Sequence, residues 1–260
     1  MIPKIIHYCW LGGKPLPKSA KKCIKSWKKY CPDYEIIEWN ETNYDFTKNQ
    51  YMKEAFEAKK WGFVPDYARL DIVYQYGGIY LDVDVEIVKS FDSLLNYSGF
   101  AGFESPEFIN FGQGFGAEPG NLLIKKIRDD YDNLHFLNED GTPNFVASPH
   151  INTKVLEENG VKRNGTFQII DNFAFLPMDY LCPKSFEDGI IKKTNNTYSI
   201  HHFDASWHDK KTKKYYKNRR RQLRKERRMD YIIHIPNKLM IVLLGKNNYE
   251  KFKSFIKKCR

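Results

Sequence analysis

Asp82 and Asp84 stand one residue apart behind a double glycine, in the run Gly77-Gly78-Ile79-Tyr80-Leu81-Asp82-Val83-Asp84-Val85. The apolar residues predict a strand over 79–88, along which side chains alternate between faces. Leu81, Val83 and Val85 then anchor one face in a core, while Tyr80, Asp82 and Asp84 share the other. Two carboxylates side by side repel, and burying them uncompensated is costly, so the pair calls for a cation. Carboxylate oxygens favour hard divalent ions such as Mn²⁺ or Mg²⁺, which keep open positions for phosphate oxygens. An EF-hand calcium loop is excluded: the sixth position from Asp82 is Ile87 rather than glycine, and the twelfth is Ser93 rather than glutamate.

Two further groups of residues suit the same chemistry. Asp66 and Arg69 are three apart on a predicted helix that runs into the double glycine, so they share a face. A forked cation suits sugar hydroxyls or a phosphate oxygen, and a carboxylate accepts from hydroxyls. His201-His202-Phe203-Asp204-Ala205-Ser206-Trp207 gathers histidine, carboxylate, hydroxyl and indole in seven residues. If the strand at 198–202 continues, alternation puts His202 and Asp204 on one face, which favours His202 over His201 as a metal ligand.

The elements that position these groups alternate between strand and helix. Residues 2–10 read as a buried first strand ending in a loop at Gly12-Gly13, the edge where α/β sheets place ligands. Residues 18–29 carry Ala20, Cys23, Ile24 and Trp27 at helical spacing, and 34–39 return to a strand pattern. Helical patterns follow at 51–61 and 65–76, the second with Pro65 in its first turn and Gly77 at its stop. Residues 100–118, rich in glycine and phenylalanine, predict strands joined by tight turns with close backbone approach. Beyond them come helices at 121–134 and 152–158 and strands at 167–175 and 198–202. The chain divides into an α/β catalytic domain, 1–209, and a basic, helix-compatible appendage, 210–260.

The composition narrows the class. With 260 residues, 42% hydrophobic and 15% aromatic, the chain can bury a sizeable core. Its five cysteines, Cys9, Cys23, Cys31, Cys182 and Cys259, form no CxxC pair and read as reduced thiols of a cytoplasmic protein. Pro3, Lys4 and His7 interrupt any signal-like apolar run, and the apolar stretch at 239–244 is far shorter than the roughly 20 residues of a membrane span. The net charge of +10 is concentrated late, where Arg219, Arg220, Arg221, Arg224, Lys225, Arg227 and Arg228 crowd together and call for an anionic partner. No recognised nucleic-acid module accompanies them, so nucleic acid is not the expected partner and a peripheral anionic membrane surface is the more economical one. A haloacid-dehalogenase-like phosphohydrolase also uses a strand-ending Asp-x-Asp, but such motifs open their domain, whereas this pair arrives after about 80 residues.

The blocks Ile2-Pro-Lys-Ile-Ile-His-Tyr-Cys-Trp-Leu-Gly-Gly13 and Pro65-Asp-Tyr-Ala-Arg-Leu-Asp-Ile-Val-Tyr-Gln-Tyr-Gly-Gly-Ile-Tyr-Leu-Asp-Val-Asp84 resemble the DXD-motif sugar-binding glycosyltransferases. That group includes initiating mannosyltransferases and capsular polysaccharide glycosyltransferases, and more distantly the glucosylating clostridial toxins. The resemblance implies a GT-A fold, the Rossmann-like fold of nucleotide-diphospho-sugar transferases, with Mn²⁺ or Mg²⁺ as cofactor. It further implies retention at the anomeric carbon, a nucleotide-sugar donor with UDP-hexose favoured, and a glycan or lipid-linked glycan acceptor, as in bacterial surface polysaccharide synthesis. By motif, Trp10 resembles the residue packed on the base, and His7, Asp66, Arg69 and Asp82 resemble donor contacts, with Asp82 reaching a metal-bound water. Asp84 resembles the direct metal ligand, and His202 is expected to join it. Asn110 and Gln113 are both candidates for the residue beside the reacting sugar, and Ser148-Pro149 takes the place of a Gly-Pro turn on the acceptor side. Ser206 and Trp207 resemble the segment that closes on the diphosphate. If transfer ran through a covalent intermediate, Glu104 or Glu118 would be the carboxylate considered.

Overall fold

The computed structural model describes residues 1–204, 210–233 and 237–258, and divides into two compact units. The first comprises Met1–Ser185 and Ile190–Trp207; the second, Phe186–Gly189 and His208–Arg260.

The first unit is built on a seven-stranded mixed sheet of order β2-β1-β3-β6-β5-β8-β7. Its strands are β1 Ile5–Cys9, β2 Glu35–Trp39, β3 Gly78–Tyr80, β5 Gly99–Phe103, β6 Ile109–Ala117, β7 Gln168–Ile170 and β8 Phe173–Leu176, while β4 Val85–Ile87 pairs separately with β9 Ser199–His201. Strands β1, β2 and β3 run parallel, β6 runs antiparallel between β3 and β5, and β5 pairs in parallel with β8. The carboxyl ends of β1, β3 and β5 therefore meet the start of β6 at one edge, the place where an α/β sheet opens toward a ligand.

Both faces of this sheet are covered, which is why β1 and β6 are almost wholly buried along their length. Helix α1 (Lys18–Tyr30) packs Trp27 into one core with Tyr8, Ile79 and Val85, and the Trp27 indole donates to the Val85 carbonyl at 2.7 Å. On the other face α2 (Gln50–Glu57), α3 (Pro65–Tyr76), α4 (Leu122–Asp130) and α5 (Ser148–Glu158) enclose a core containing Met52, Leu70, Phe111 and Ile124. Helix α3 is buried from Pro65 through Val73, its polar residues included. It begins on a proline whose missing N–H costs nothing in a first turn and stops at Gly77, whose φ of 65° suits glycine. A Cβ at Gly77 would also lie 2.7 Å from Pro119 and 2.8 Å from Pro3.

One expected element takes a different form. The strand predicted over 79–88 is two strands in different sheets, β3 and β4, joined by a turn at Leu81–Asp84 in which the Val85 N–H bonds back to the Asp82 carbonyl at 3.0 Å. The Asp82 N–H donates to the Gly112 carbonyl at 3.0 Å, so the aspartates sit where the chain leaves the main sheet. An unbroken apolar pattern does not register a change of pairing partner.

In the second unit the described helices are α7 (Lys210–Ile233), α8 (Asn237–Leu244) and α9 (Lys246–Lys258); α6 (Met178–Leu181) belongs to the first. None is long and apolar enough to cross a membrane.

Candidate active site and metal centre

The turn between β3 and β4 brings Asp82 and Asp84 to the carboxyl edge of the sheet, and β9 brings His201 to them. Because β9 pairs antiparallel with β4 in the register Val85↔His201, the imidazole reaches Asp84, with Nε2 3.3 Å from Oδ1. One ligand atom from each of Asp82, Asp84 and His201 lies within 4.8 Å of the others. Two hard oxygens and one imidazole nitrogen at this separation fit a divalent ion such as Mn²⁺.

His202 is placed elsewhere. The strand ends at His201, and Phe203 takes a left-handed conformation with φ 54°, so the alternation expected to pair His202 with Asp204 does not continue. His202 Nε2 lies 2.8 Å from Glu86 Oε2 instead. The segment nevertheless wraps Asp84: the His202 N–H donates to its carbonyl at 3.0 Å, and the Asp204 N–H to its carboxylate at 2.8 Å. Ser206 and Trp207 lie outside the described residues.

Burial alone would raise the Asp84 carboxyl, but His201, its charge and hydrogen bond together, and the Asp204 N–H outweigh it and hold the group at about 2. His201 is raised in turn: burial would lower it, and the Asp84 carboxylate prevails. Asp82 is raised by burial, with Arg69 opposing.

Arg69 and Asp66 form the wall beside Asp82. Arg69 is anchored by Nε to the Pro65 carbonyl at 3.0 Å, pairs with Asp66 at 3.0 Å, approaches Asp82 at 3.6 Å and lies over the Tyr80 ring at 5.3 Å. Asp66 is 4% exposed and touches the Ser148 hydroxyl; burial raises it to about 6 despite Arg69. Ser148, in the first turn of α5, thus belongs to the same wall.

Gly112 is the residue that reading the sequence did not single out. A Cβ there would lie 2.3 Å from Asp82 Oδ2, 2.8 Å from an Arg69 guanidinium nitrogen and 3.1 Å from Asn110 Oδ1. Only glycine leaves that space open. The glycine-rich composition of β6 was the available signal, without saying which glycine faces the carboxylates.

Asn110 shares this face of β6. Its Oδ1 accepts from the Gly112 N–H at 2.6 Å, and its amide donates to Glu104 at 2.7 Å. Gln113 is fully buried and donates to the Gly102 carbonyl at 2.7 Å. Glu118 lies at the far end of β6, paired with the N-terminal amine. His7 also differs from the expected donor contact. It is fully buried, its Nδ1 accepting from the Trp39 indole at 3.1 Å and its Nε2 donating to the Gly77 carbonyl at 2.9 Å, and burial lowers it to about 4. It fixes the double-glycine turn. Trp10 follows β1 at the site edge, half-buried, its indole held by the Lys14 carbonyl.

The carboxylate pair lies within a stretch that matches a known family. Residues 17–101 match the family described as "Glycosyltransferase sugar-binding region containing DXD motif". The chain is 33% identical over 137 residues to inositol phosphoceramide mannosyltransferase 3 of Schizosaccharomyces pombe, covering 49% of this chain and 37% of that protein. It is 28% identical to an uncharacterized glycosyltransferase of Acanthamoeba polyphaga mimivirus, over 75% of this chain and 82% of the viral one. The chain spans about a third of the length of the yeast mannosyltransferase it matches. Among solved structures it is similar to the PaToxG glycosyltransferase (24% identity, 60% of this chain and 69% of that one, TM-score 0.48) and to the galactosyltransferase LgtC (13% identity, 84% and 95%, TM-score 0.43). The α/β class expected from the sequence is present as a mixed sheet with the carboxylate pair at its carboxyl edge.

Proposed function

We propose that this chain, which carries the sugar-binding region of the DXD-motif glycosyltransferases over residues 17–101, is a metal-dependent, retaining hexosyltransferase. The observation that carries the reading is the convergence of Asp82, Asp84 and His201 within 4.8 Å beside the Asp66–Arg69 wall. Asp84 and His201 would hold Mn²⁺ or Mg²⁺ directly, with Asp82 as a further ligand or the holder of a metal-bound water. Such an ion, when bound, offsets the negative charge that develops on a departing nucleoside diphosphate.

The protein's own residues supply binding and orientation. Asp66 accepts hydrogen bonds from donor-sugar hydroxyls, and Arg69, fixed from three sides, donates to a sugar or phosphate oxygen. Asn110 presents its amide beside the space that Gly112 leaves open. Trp10 packs on the nucleotide base, and Ser206 and Trp207 contact the diphosphate. With no carboxylate placed as a free nucleophile among these groups, the reading favours front-face transfer, in which the leaving phosphate takes the acceptor proton; Glu104 is already engaged by Asn110.

UDP-hexose is the favoured donor, and a glycan or lipid-linked glycan of a bacterial surface polysaccharide the favoured acceptor. The mannosyltransferase among the relatives makes a GDP-mannose arm necessary in any donor panel. The basic second unit docks the enzyme on an anionic membrane surface, where a lipid-linked acceptor is presented. The sugar-binding match weighs against the phosphohydrolase and nucleic-acid-binding alternatives. The test is release of nucleoside diphosphate from a panel of UDP- and GDP-sugars, with and without Mn²⁺. The reading expects turnover of one donor that chelation abolishes; release of inorganic phosphate from simple phosphomonoesters instead would overturn it.

A further inference from the structure

Two lines of cations run along helix α7, and one of them is engaged within the second unit. Arg220, Arg224 and Arg227 fall within about 40° of a single line along a helix of 3.6 residues per turn. Arg220 Nε donates to the Phe186 carbonyl at 3.0 Å. Arg224 donates to the Asp188 carbonyl at 2.6 Å and the Gly189 carbonyl at 2.9 Å, and Arg227 pairs with the buried Asp188 carboxylate at 2.6 Å. These contacts clamp the 186–189 segment to the helix.

Lys214, Lys217, Arg221, Lys225 and Arg228 follow a second line, at spacings of three, four, four and three residues. At about 100° per residue this line lies roughly 60–140° around the helix from the clamp. All five are exposed, and among the described residues none has an ion pair with a carboxylate. The nearest acid in sequence, Glu226, lies on the opposite side of the helix, held by Gln222 at 2.8 Å. The stripe runs for about 21 Å at 1.5 Å per residue. The same unit exposes apolar side chains: Leu239, Val242 and Leu243 on α8, with Val242 80% exposed, and Phe255 on α9.

A nucleic acid offers phosphates to such a stripe but nothing to the apolar residues, whereas an anionic bilayer offers both headgroup charge and hydrocarbon at one surface. We infer that the Lys214–Lys217–Arg221–Lys225–Arg228 stripe is the face by which the chain docks on an anionic lipid bilayer, Arg220, Arg224 and Arg227 being held internally. The inference rests on the membrane-surface role proposed above and assigns that role to particular side chains.

The test is co-sedimentation of the full-length protein with phosphatidylcholine vesicles, with and without phosphatidylglycerol. Each near-surface charge is worth about fivefold in partitioning, so replacing all five by glutamine lowers partitioning onto anionic vesicles by at least about 100-fold. A variant carrying only Lys214→Arg, Lys217→Arg and Lys225→Arg, which keeps the charge, partitions like the wild type. Equal partitioning of the glutamine variant and the wild type overturns the assignment. So does wild-type binding to neutral vesicles as strong as to anionic ones, or preferential binding to duplex RNA or DNA in competition with anionic vesicles. Hydrolysis of a soluble nucleotide sugar, read in parallel, reports on the catalytic reading separately, because no stripe residue belongs to the site.

Discussion

His201 Nε2 lies 3.3 Å from Asp84 Oδ1, a contact made across 117 residues of chain by the pairing of β9 with β4. It turns a pair of carboxylates into a three-donor group and gives the site its acid–base behaviour.

Histidine replacement therefore separates two neighbours. His201→Ala weakens Mn²⁺ binding by at least about 100-fold, since loss of a direct ligand costs no less than loss of an outer-shell partner does. His202→Ala, which removes the partner of Glu86 instead, leaves affinity within a few-fold. Because His201 is raised by Asp84 and must lose its proton to ligate, wild-type affinity climbs with pH through and above the ordinary histidine range. Titration calorimetry at several pH values, on all three proteins, checks this.

Gly112→Ala tests the open space beside Asp82. The backbone there is not left-handed, so the only obstacle is the Cβ itself, 2.3 Å from Asp82 Oδ2. Overpacking of this kind costs about 1–3 kcal/mol. Gly112→Ala lowers Tm and lowers donor hydrolysis by more, because the atoms displaced are those of Asp82, Arg69 and Asn110. A Gly116→Ala change, which meets Phe100 and Ile79, should lower Tm without touching donor affinity selectively.

His7 should make the fold acid-sensitive. Its folded value is depressed to about 4, below that of an unfolded histidine near 6.5. The unfolded chain therefore takes up the proton first: the contribution is complete above pH 6.5 and is lost as pH falls from 6.5 toward 4. Between pH 7 and 5 the loss from this group is about 2 kcal/mol. Urea unfolding of wild type and His7→Asn at both pH values isolates it, and an equal pH dependence in the two proteins would count against the buried neutral imidazole.

Much of this site was legible from residue type and spacing. Helix α3 announces itself by Pro65 and Gly77, and its i, i+3 spacing put Asp66 and Arg69 together, as found at 3.0 Å. What escaped depends on partners distant in sequence. The turn at Leu81–Asp84 exists because β4 exchanges the main sheet for β9, and nothing local in the run from Ile79 to Val88 reports that exchange. Alternation singles out His202 only if the strand runs on past His201, where it stops. Asn110 and Gln113 lie where the register of β6 against β5 shifts, between Ala101 and Gly102, so alternation along the sequence does not tell which of them meets Asp82.

The most direct test is titration of Mn²⁺ into the wild type and Asp84→Asn in the presence of UDP, followed by calorimetry or by the Mn²⁺ paramagnetic resonance signal. The wild type is expected to bind one Mn²⁺, with affinity at least about 100-fold weaker in Asp84→Asn, where a charged oxygen ligand and the anchor of His201 are both lost. Equal affinity in the two proteins would contradict the placement of the metal and diphosphate at Asp82, Asp84 and His201.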